Sequence, residues 1–219
     1  MDSVGKSKYY SGQRLTIEQI TNLSDYCLQN ASELVEEARL LFSNKRYARA
    51  LFLSILALEE TSKRDILWQA IFLGEDEKQW KEFWNKFLSH DVKLATVLWD
   101  YITIRSNKEK NTPREILHEY LSEMKKAEGE AKEISSFKEW AMYVDVIDGK
   151  PIIPSQVVDR GFALTMLKSA QKHLEHHRKF KPTAKEIETN LSLKKKMKKG
   201  ESFIDYWYRT RGNIDMGSE

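Results

Sequence analysis

KRYARALFLSILALEETSKRDILWQAIF, residues Lys45–Phe72, is the stretch on which the fold turns. At about 100° per residue, Phe52, Ile55, Leu56, Ile66, Leu67 and Ala70 project over one broad arc of a helix. Into that arc fall Glu59, Glu60 and Lys63, with Lys63 angularly between the two carboxylates. Charges that interrupt an apolar stripe must pair with one another or open onto a cleft, because an isolated buried charge is costly. Periodicity alone allows a structural Glu-Lys pair. A second carboxylate leaves one lysine too few for two acids and points toward a site.

Around this stretch the chain reads as helical throughout. Its 219 residues can bury a substantial core, and 41% hydrophobic with 32% charged residues describes a globular protein. Nine Gly and four Pro are few and favour long helices over strands and turns. A single cysteine, Cys27, excludes an intramolecular disulfide framework and any zinc site built on several cysteines. It lies on an apolar stripe with Leu23, Ala31 and Leu34 and reads as a buried, inert thiol. No signal-like segment opens the chain, and the longest apolar run, Ala50–Leu58, is too short to cross a bilayer. A cytoplasmic protein without membrane contact is expected. The net charge of +3 implies no partner by itself.

Upstream, residues 1–14 are polar and are expected to be disordered. Thr16 is an N-cap for a first helix through Ile17, Ile20, Leu23, Cys27, Leu34, Ala38, Leu41 and Phe42. The central helix is expected to run from about Arg46 to a C′ residue at Gly74. A shorter helix over Glu75–Ser89 carries Trp80, Phe83, Trp84 and Phe87, a face suited to core or interface more than to base stacking. His90 then opens or bends into a further helix with Leu94, Val97 and Tyr101, and Lys93 lies one turn along. A histidine on an apolar face is usually a satisfied core residue. His90-Asp91 has the form of an HD metal dyad, but no second helix supplies matching histidines, so no metal is expected.

Downstream, Asn107–Asn111 is a charged loop, and Thr112 starts a helix with Pro113 at N1 and Glu115 completing a capping box. That helix fades into the charged run Lys125–Glu133, which reads as a solvated face. Met142, Val144 and Val146 then alternate with Tyr143 and Asp145 ahead of the turn Asp148-Gly149, giving a small hairpin or extended excursion near 141–153. One long helix is expected over Ser155–Arg178. Its His176, His177, Arg178 and Lys179 suit the negative end of a helix dipole. His173 and His177, four apart, have metal-ligand spacing, but a solvent-facing cluster is the simpler reading. Thr183–Glu186 forms another capping box. From Arg178 to Lys199 there are nine Lys/Arg against two acids. Lys194, Lys195, Lys196, Lys198 and Lys199, followed by Phe203, Tyr206, Trp207, Tyr208, Arg209 and Arg211, suit either a solvated arm or contact with nucleic acid.

Three segments in order carry a family resemblance. Tyr47-Ala48-Arg49-Ala50 leading to Leu58-Glu59-Glu60-x-x-Lys63 resembles the central EExxK helix of the AbiV abortive-infection family. Phe87-Leu88-Ser89-His90-x-x-Lys93-Leu94 is similar to its HxxK motif, and Lys138-Glu139-x-Ala141-Met142-Tyr143-Val144-Asp145 to its YVD segment. Together they span roughly residues 20–175. The resemblance implies an all-α, HEPN-like antiparallel helical bundle over 15–180, with 181–219 as a basic and aromatic extension.

By the same resemblance, the protein is expected to act in phage defence, to work as a homodimer and to target RNA, tRNA among the candidates, with a phage or host protein as trigger. HEPN proteins are frequently metal-independent endoribonucleases with an Arg-x4-6-His signature. This chain lacks it; Arg114 and His118 are too close and Lys168-x4-His173 has lysine for arginine. An active site would therefore use Glu59, Glu60, Lys63, His90 and Lys93, with Tyr143 and Asp145 as secondary members, no metal and no cofactor. His90 would supply base or acid, Lys63 and Lys93 would hold phosphate, and a glutamate would orient His90. The same five residues also suit a buried ion network that holds a bundle in register. A non-catalytic HEPN module that binds a nucleotide or a protein is the alternative.

Overall fold

Burial on every side makes one helix the axis of the molecule. In the computed structural model, which describes residues 13–97, 129–147, 149–179 and 184–198, helix α2 (Tyr47–Ala70) buries Ala48, Leu51, Ile55, Leu58, Thr61, Arg64 and Leu67 in different directions. Its buried hydroxyls are satisfied within the helix: Ser54 donates to the Ala50 carbonyl at 2.7 Å and Ser62 to that of Glu59 at 2.9 Å. Polar side chains closed in this way let neighbouring helices approach.

Helix α1 (Ile17–Ser43) begins at the expected cap. Thr16 Oγ1 accepts from Gln19 N, and Gln19 Oε1 accepts from Thr16 N, a reciprocal box worth about 1 kcal/mol. Lys45, with φ of 59°, turns the chain into α2. A lysine in this left-handed conformation costs about 1 kcal/mol, tolerated because α1 and α2 pack against each other along their lengths.

Helix α2 ends at Ala70, four residues before the expected glycine stop. Gly74 belongs instead to the entry of α3 (Glu77–Leu88): its amide donates to Gln79 Oε1 at 3.1 Å and its carbonyl accepts from Trp80 Nε1 at 3.0 Å. Trp80, Phe83, Trp84 and Phe87 form an aromatic core with Ile20, Cys27, Ile66 and Leu67, so this face is core. Ser89 breaks the chain, and residues 90–97 form α4.

Residues 129–142 form α5. In the described part of the charged run Glu130, Lys132 and Glu133 are exposed on this helix, as expected of a solvated face, and Ala131 between them is fully buried. The excursion that follows is a hairpin of β1 (Asp145–Ile147) and β2 (Lys150–Ile152), antiparallel with Val146 opposite Pro151. Gly149 takes φ of 74° at its turn. Neither edge invites another strand, since Asp145 Oδ1 occupies the Val146 amide at 2.7 Å and Pro151 has no amide hydrogen.

The expected long helix over Ser155–Arg178 is two. The short α6 (Pro154–Val157) stops at Val158, which is extended at φ −102° and ψ 111°. Asp159 Oδ1 then accepts from Phe162 N at 2.7 Å and starts α7 (Arg160–Lys179). Val158 is buried beside Ala163, Ala141 and Leu94, and the local kink delivers it there. Helix α8 (Ala184–Lys196) packs Leu191 against the aromatic core, and Lys194 Nζ donates to the Leu73 carbonyl beyond the end of α2. No helix among the described residues is long and apolar enough to cross a membrane. Residues 1–12, 98–128, 148, 180–183 and 199–219 lie outside the described residues. With them go most of the expected N-terminal disorder, the loop at Asn107–Asn111, the Thr112 capping box, and the aromatic tail.

Candidate functional site

Glu59 lies where α2, α4 and α5 meet. Its side chain is 3% exposed, and each carboxylate oxygen has a charged or imidazole partner. Oε1 accepts from Lys138 Nζ of α5 at 2.8 Å. Oε2 accepts from His90 Nδ1 at 2.5 Å and faces Lys93 Nζ at 3.2 Å, both from α4. The break at Ser89 places His90 at the start of α4, and Lys93 is one turn further on the same face.

Burial alone would raise the Glu59 pKa. The Lys138 hydrogen bond, the Lys93 charge and the His90 hydrogen bond outweigh it and hold the carboxyl below its ordinary value. An ionised Glu59 assigns the proton of its contact with His90 to Nδ1. In the neutral ring, the lone pair is then on the other nitrogen, Nε2. Because the His90 side chain is 55% exposed, this site has a buried anionic base and an open imidazole tip. The arrangement can hold an imidazole in one tautomer and stabilise its protonated form, as a buried carboxylate does in catalytic triads.

The five expected site residues divide into two groups. Glu59, His90 and Lys93 come together. Glu60 and Lys63 pair separately at 2.5 Å on a half-buried surface, with the Lys63 ammonium 5.4 Å from the centre of the Phe87 ring. Lys63 therefore does not bridge the two carboxylates: the favourable pair is with the adjacent acid, and three other groups already fill Glu59. Lys93 is buried and spent on Glu59. Desolvation lowers its pKa, and Glu59 partly opposes that shift. Lys93 shares Oε2 with His90 and is itself only 4% exposed.

Tyr143 and Asp145 are exposed at the foot of the hairpin, and the Asp145 carboxylate is engaged by Val146 N. Neither contributes to the partners of Glu59. In the basic segment Lys194 is anchored to the end of α2, while Lys195, Lys196 and Lys198 are exposed. Lys199, Arg209 and Arg211 lie outside the described residues.

Lys138 was not among the expected site residues although it opens the YVD-like segment. Its signal was its helical spacing from Ile134 and Ala141, which puts an ammonium on a buried face.

A second buried network replaces the expected solvent-facing histidines. His173 and His177 are 4% and 3% exposed. His173 Nδ1 meets Thr61 Oγ1 at 2.7 Å, and the two rings pack edge to face 4.6 Å apart. Arg64, itself 2% exposed, donates from Nε to Ser24 Oγ at 3.0 Å and from Nη1 to the His177 carbonyl at 2.6 Å, tying α1, α2 and α7 together. Burial, then the charges of His173, Arg64 and His176, push His177 down to about 3. The Asp65 carboxylate lies 3.5 Å from His177 Nε2. Packing of α7 against α2 turned these rings inward. Among the described residues, no group of three or more His, Cys, Asp or Glu side chains has a metal-holding arrangement.

No curated protein and no solved structure matches the chain. A HEPN family model described as AbiV matches residues 19–175. The matched span runs from the first turn of α1 through most of α7, includes every member of the Glu59 cluster, and stops short of basic α8. A match over well more than half of the 219 residues, on a helical bundle with one small hairpin, makes this chain a member of the AbiV family of abortive-infection HEPN proteins.

Proposed function

We propose that this AbiV-family chain is a phage-defence effector that cleaves RNA without a metal and thereby arrests translation, acting in the cytoplasm as a homodimer. The observation that carries the reading is the contact between buried, ionised Glu59 and exposed His90. Cleavage of this kind needs a base for the 2′-hydroxyl proton, a cation near the phosphate and an acid for the leaving 5′-oxygen.

His90 Nε2 takes the 2′-hydroxyl proton while Nδ1 stays hydrogen-bonded to Glu59, whose charge stabilises the imidazolium that forms. The 2′-oxygen bonds to phosphorus as the bond to the 5′-oxygen breaks, leaving a 2′,3′-cyclic phosphate. The imidazolium or a second acid then returns a proton to the 5′-oxygen. Positioned acid–base catalysis of this sort contributes about 100- to 10,000-fold. Lys63, half-buried beside Phe87 and paired with Glu60, is the expected site cation with surface access. Lys195, Lys196 and Lys198 supply a sequence-independent grip on the RNA backbone.

The absence of Arg-x4-6-His, together with the burial of Lys93 and Lys138, favours one second reading: a non-catalytic HEPN module that binds a nucleotide or a protein partner. Incubating the native chain and a His90→Ala variant with total RNA and tRNA in EDTA separates the two. Cleavage by the native chain and none by the variant supports the enzyme. Growth arrest that depends on the native chain while neither form cuts RNA supports the module.

A further inference from the structure

We propose that Lys138 is a positioning residue for His90, acting through the Glu59 carboxylate. Two ammonium groups approach this carboxylate from different helices. Lys93 comes from α4 and shares Oε2 with His90, at 3.2 Å against 2.5 Å for the imidazole. Lys138 comes from α5 and holds Oε1 alone at 2.8 Å. The terminal torsion of a glutamate is soft and nearly two-fold. A carboxylate held only from the α4 side would rotate to give Lys93 both oxygens and draw Oε2 away from His90. The Lys138 contact fixes one oxygen and so presents the other to the ring.

Helix α5 is built to deliver that ammonium in one place. Ala131 and Ala141 are fully buried on it, the Phe137 ring packs edge to face against Phe162 at 4.9 Å, and Arg49 Nη1 donates to the Met142 carbonyl at 3.1 Å. Lys138 is buried, and its ammonium is held by the Glu59 carboxylate and not by the exposed ring. Among the described residues, Lys93 from α4 and the Glu60–Lys63 pair from α2 also contribute charge at this site. The Cys27 thiol of α1, pushed up to about 12 mainly by burial, stays neutral.

The kinetic consequence rests on the ribonuclease reading above; the tautomer consequence does not. The test uses the full chain with Lys138→Met and Lys138→Arg, reading the His90 ring by nitrogen-15 NMR at a pH where it is neutral, and single-turnover RNA cleavage in EDTA. The native chain is expected to show the Nδ1–H tautomer. K138M should shift His90 to a mixture with a large Nε2–H fraction and slow cleavage about 100-fold, with RNA affinity changed less than about twofold. K138R should restore both the tautomer and most of the rate. If K138M does not fold, Lys138→Gln, which stays polar but is one bond too short to reach Oε1 from the same backbone position, is read for the same ratio with the same expectation.

A K138M or K138Q protein that is folded and keeps the native tautomer overturns the inference, whatever its stability. A tautomer shift in K138M with no cleavage by the native chain leaves the positioning role standing and removes the ribonuclease reading.

Discussion

Glu59 and His90, 31 residues apart, meet at 2.5 Å across the boundary between interior and solvent: the acid is 3% exposed and the imidazole 55%. Each partner sets a property of the other. The carboxylate fixes which ring nitrogen is free, and the ring, with two lysines, keeps the carboxylate ionised although it is buried.

Removing that anion should be costly. Glu59→Gln leaves the Lys93 and Lys138 ammonium groups buried without a counter-charge. Breaking a buried pair by deleting one partner typically costs about 3–5 kcal/mol. Urea denaturation should show a loss of that order, and the double variant Glu59→Gln, Lys138→Met should recover part of it, because one stranded charge is then gone.

Acid should destabilise the bundle in two windows. His177 is held neutral at about 3 in the fold against an ordinary 6.5, so the unfolded chain binds the extra proton first. Its contribution to stability is complete above 6.5 and is lost as the pH falls toward 3. The slope is at most about 1.4 kcal/mol per pH unit. Glu59, depressed below its ordinary 4.5, contributes fully above 4.5 and loses its contribution as the pH falls through its lower folded value. Between pH 6.5 and 4.5 the native chain should therefore weaken while His177→Gln stays nearly flat, as measured by the denaturation midpoint across that range.

Arg64 should resist conservative replacement. Its guanidinium reaches Ser24 and the His177 carbonyl in different directions, a fork that a lysine ammonium does not reproduce. Arg64→Lys and Arg64→Met are both expected to lower stability by about 2–4 kcal/mol, since buried acceptors lose their donor. A lysine variant as stable as the native chain would contradict this role.

The exposed lysines of α8 should set the salt dependence of RNA binding. Replacing Lys195, Lys196 and Lys198 with serine removes up to three phosphate contacts. The slope of log affinity against log salt should become shallower by about 2, on the scale of about 0.7 per single-strand contact. Affinity should fall by a similar factor on unrelated RNA sequences. Filter binding at several salt concentrations reads both.

Much of the bundle was legible because its information is local. Thr16 with Gln19, and the apolar spacing from Ile20 to Ala38, define α1 within a few neighbouring residues; the aromatic repeat of Trp80, Phe83, Trp84 and Phe87 does the same for α3. The grouping of Glu59 with His90 and Lys93 came from the resemblance of two motifs, one on α2 and one at the start of α4, to a family's. What stayed hidden depends on long-range packing. Lys138 lies 79 residues from its oxygen, and nothing in its own neighbourhood names that partner. His173 and His177 sit in a basic last turn that looks solvated until α2 is laid across it. The stop at Ala70 and the kink at Val158 reflect where chains must turn to bury Ile71 and Val158, against the prompting of Gly74 and of an unbroken helical period.

The most direct test of the central claim is the chemistry of cut RNA ends. A defined single-stranded RNA incubated with the native chain in EDTA should yield 2′,3′-cyclic phosphate and 5′-hydroxyl termini, and His90→Gln should yield neither above background. Uncut RNA with the native chain, ends bearing 3′-hydroxyl and 5′-phosphate, or native-rate cleavage by His90→Gln would contradict a Glu59-oriented imidazole as the working base.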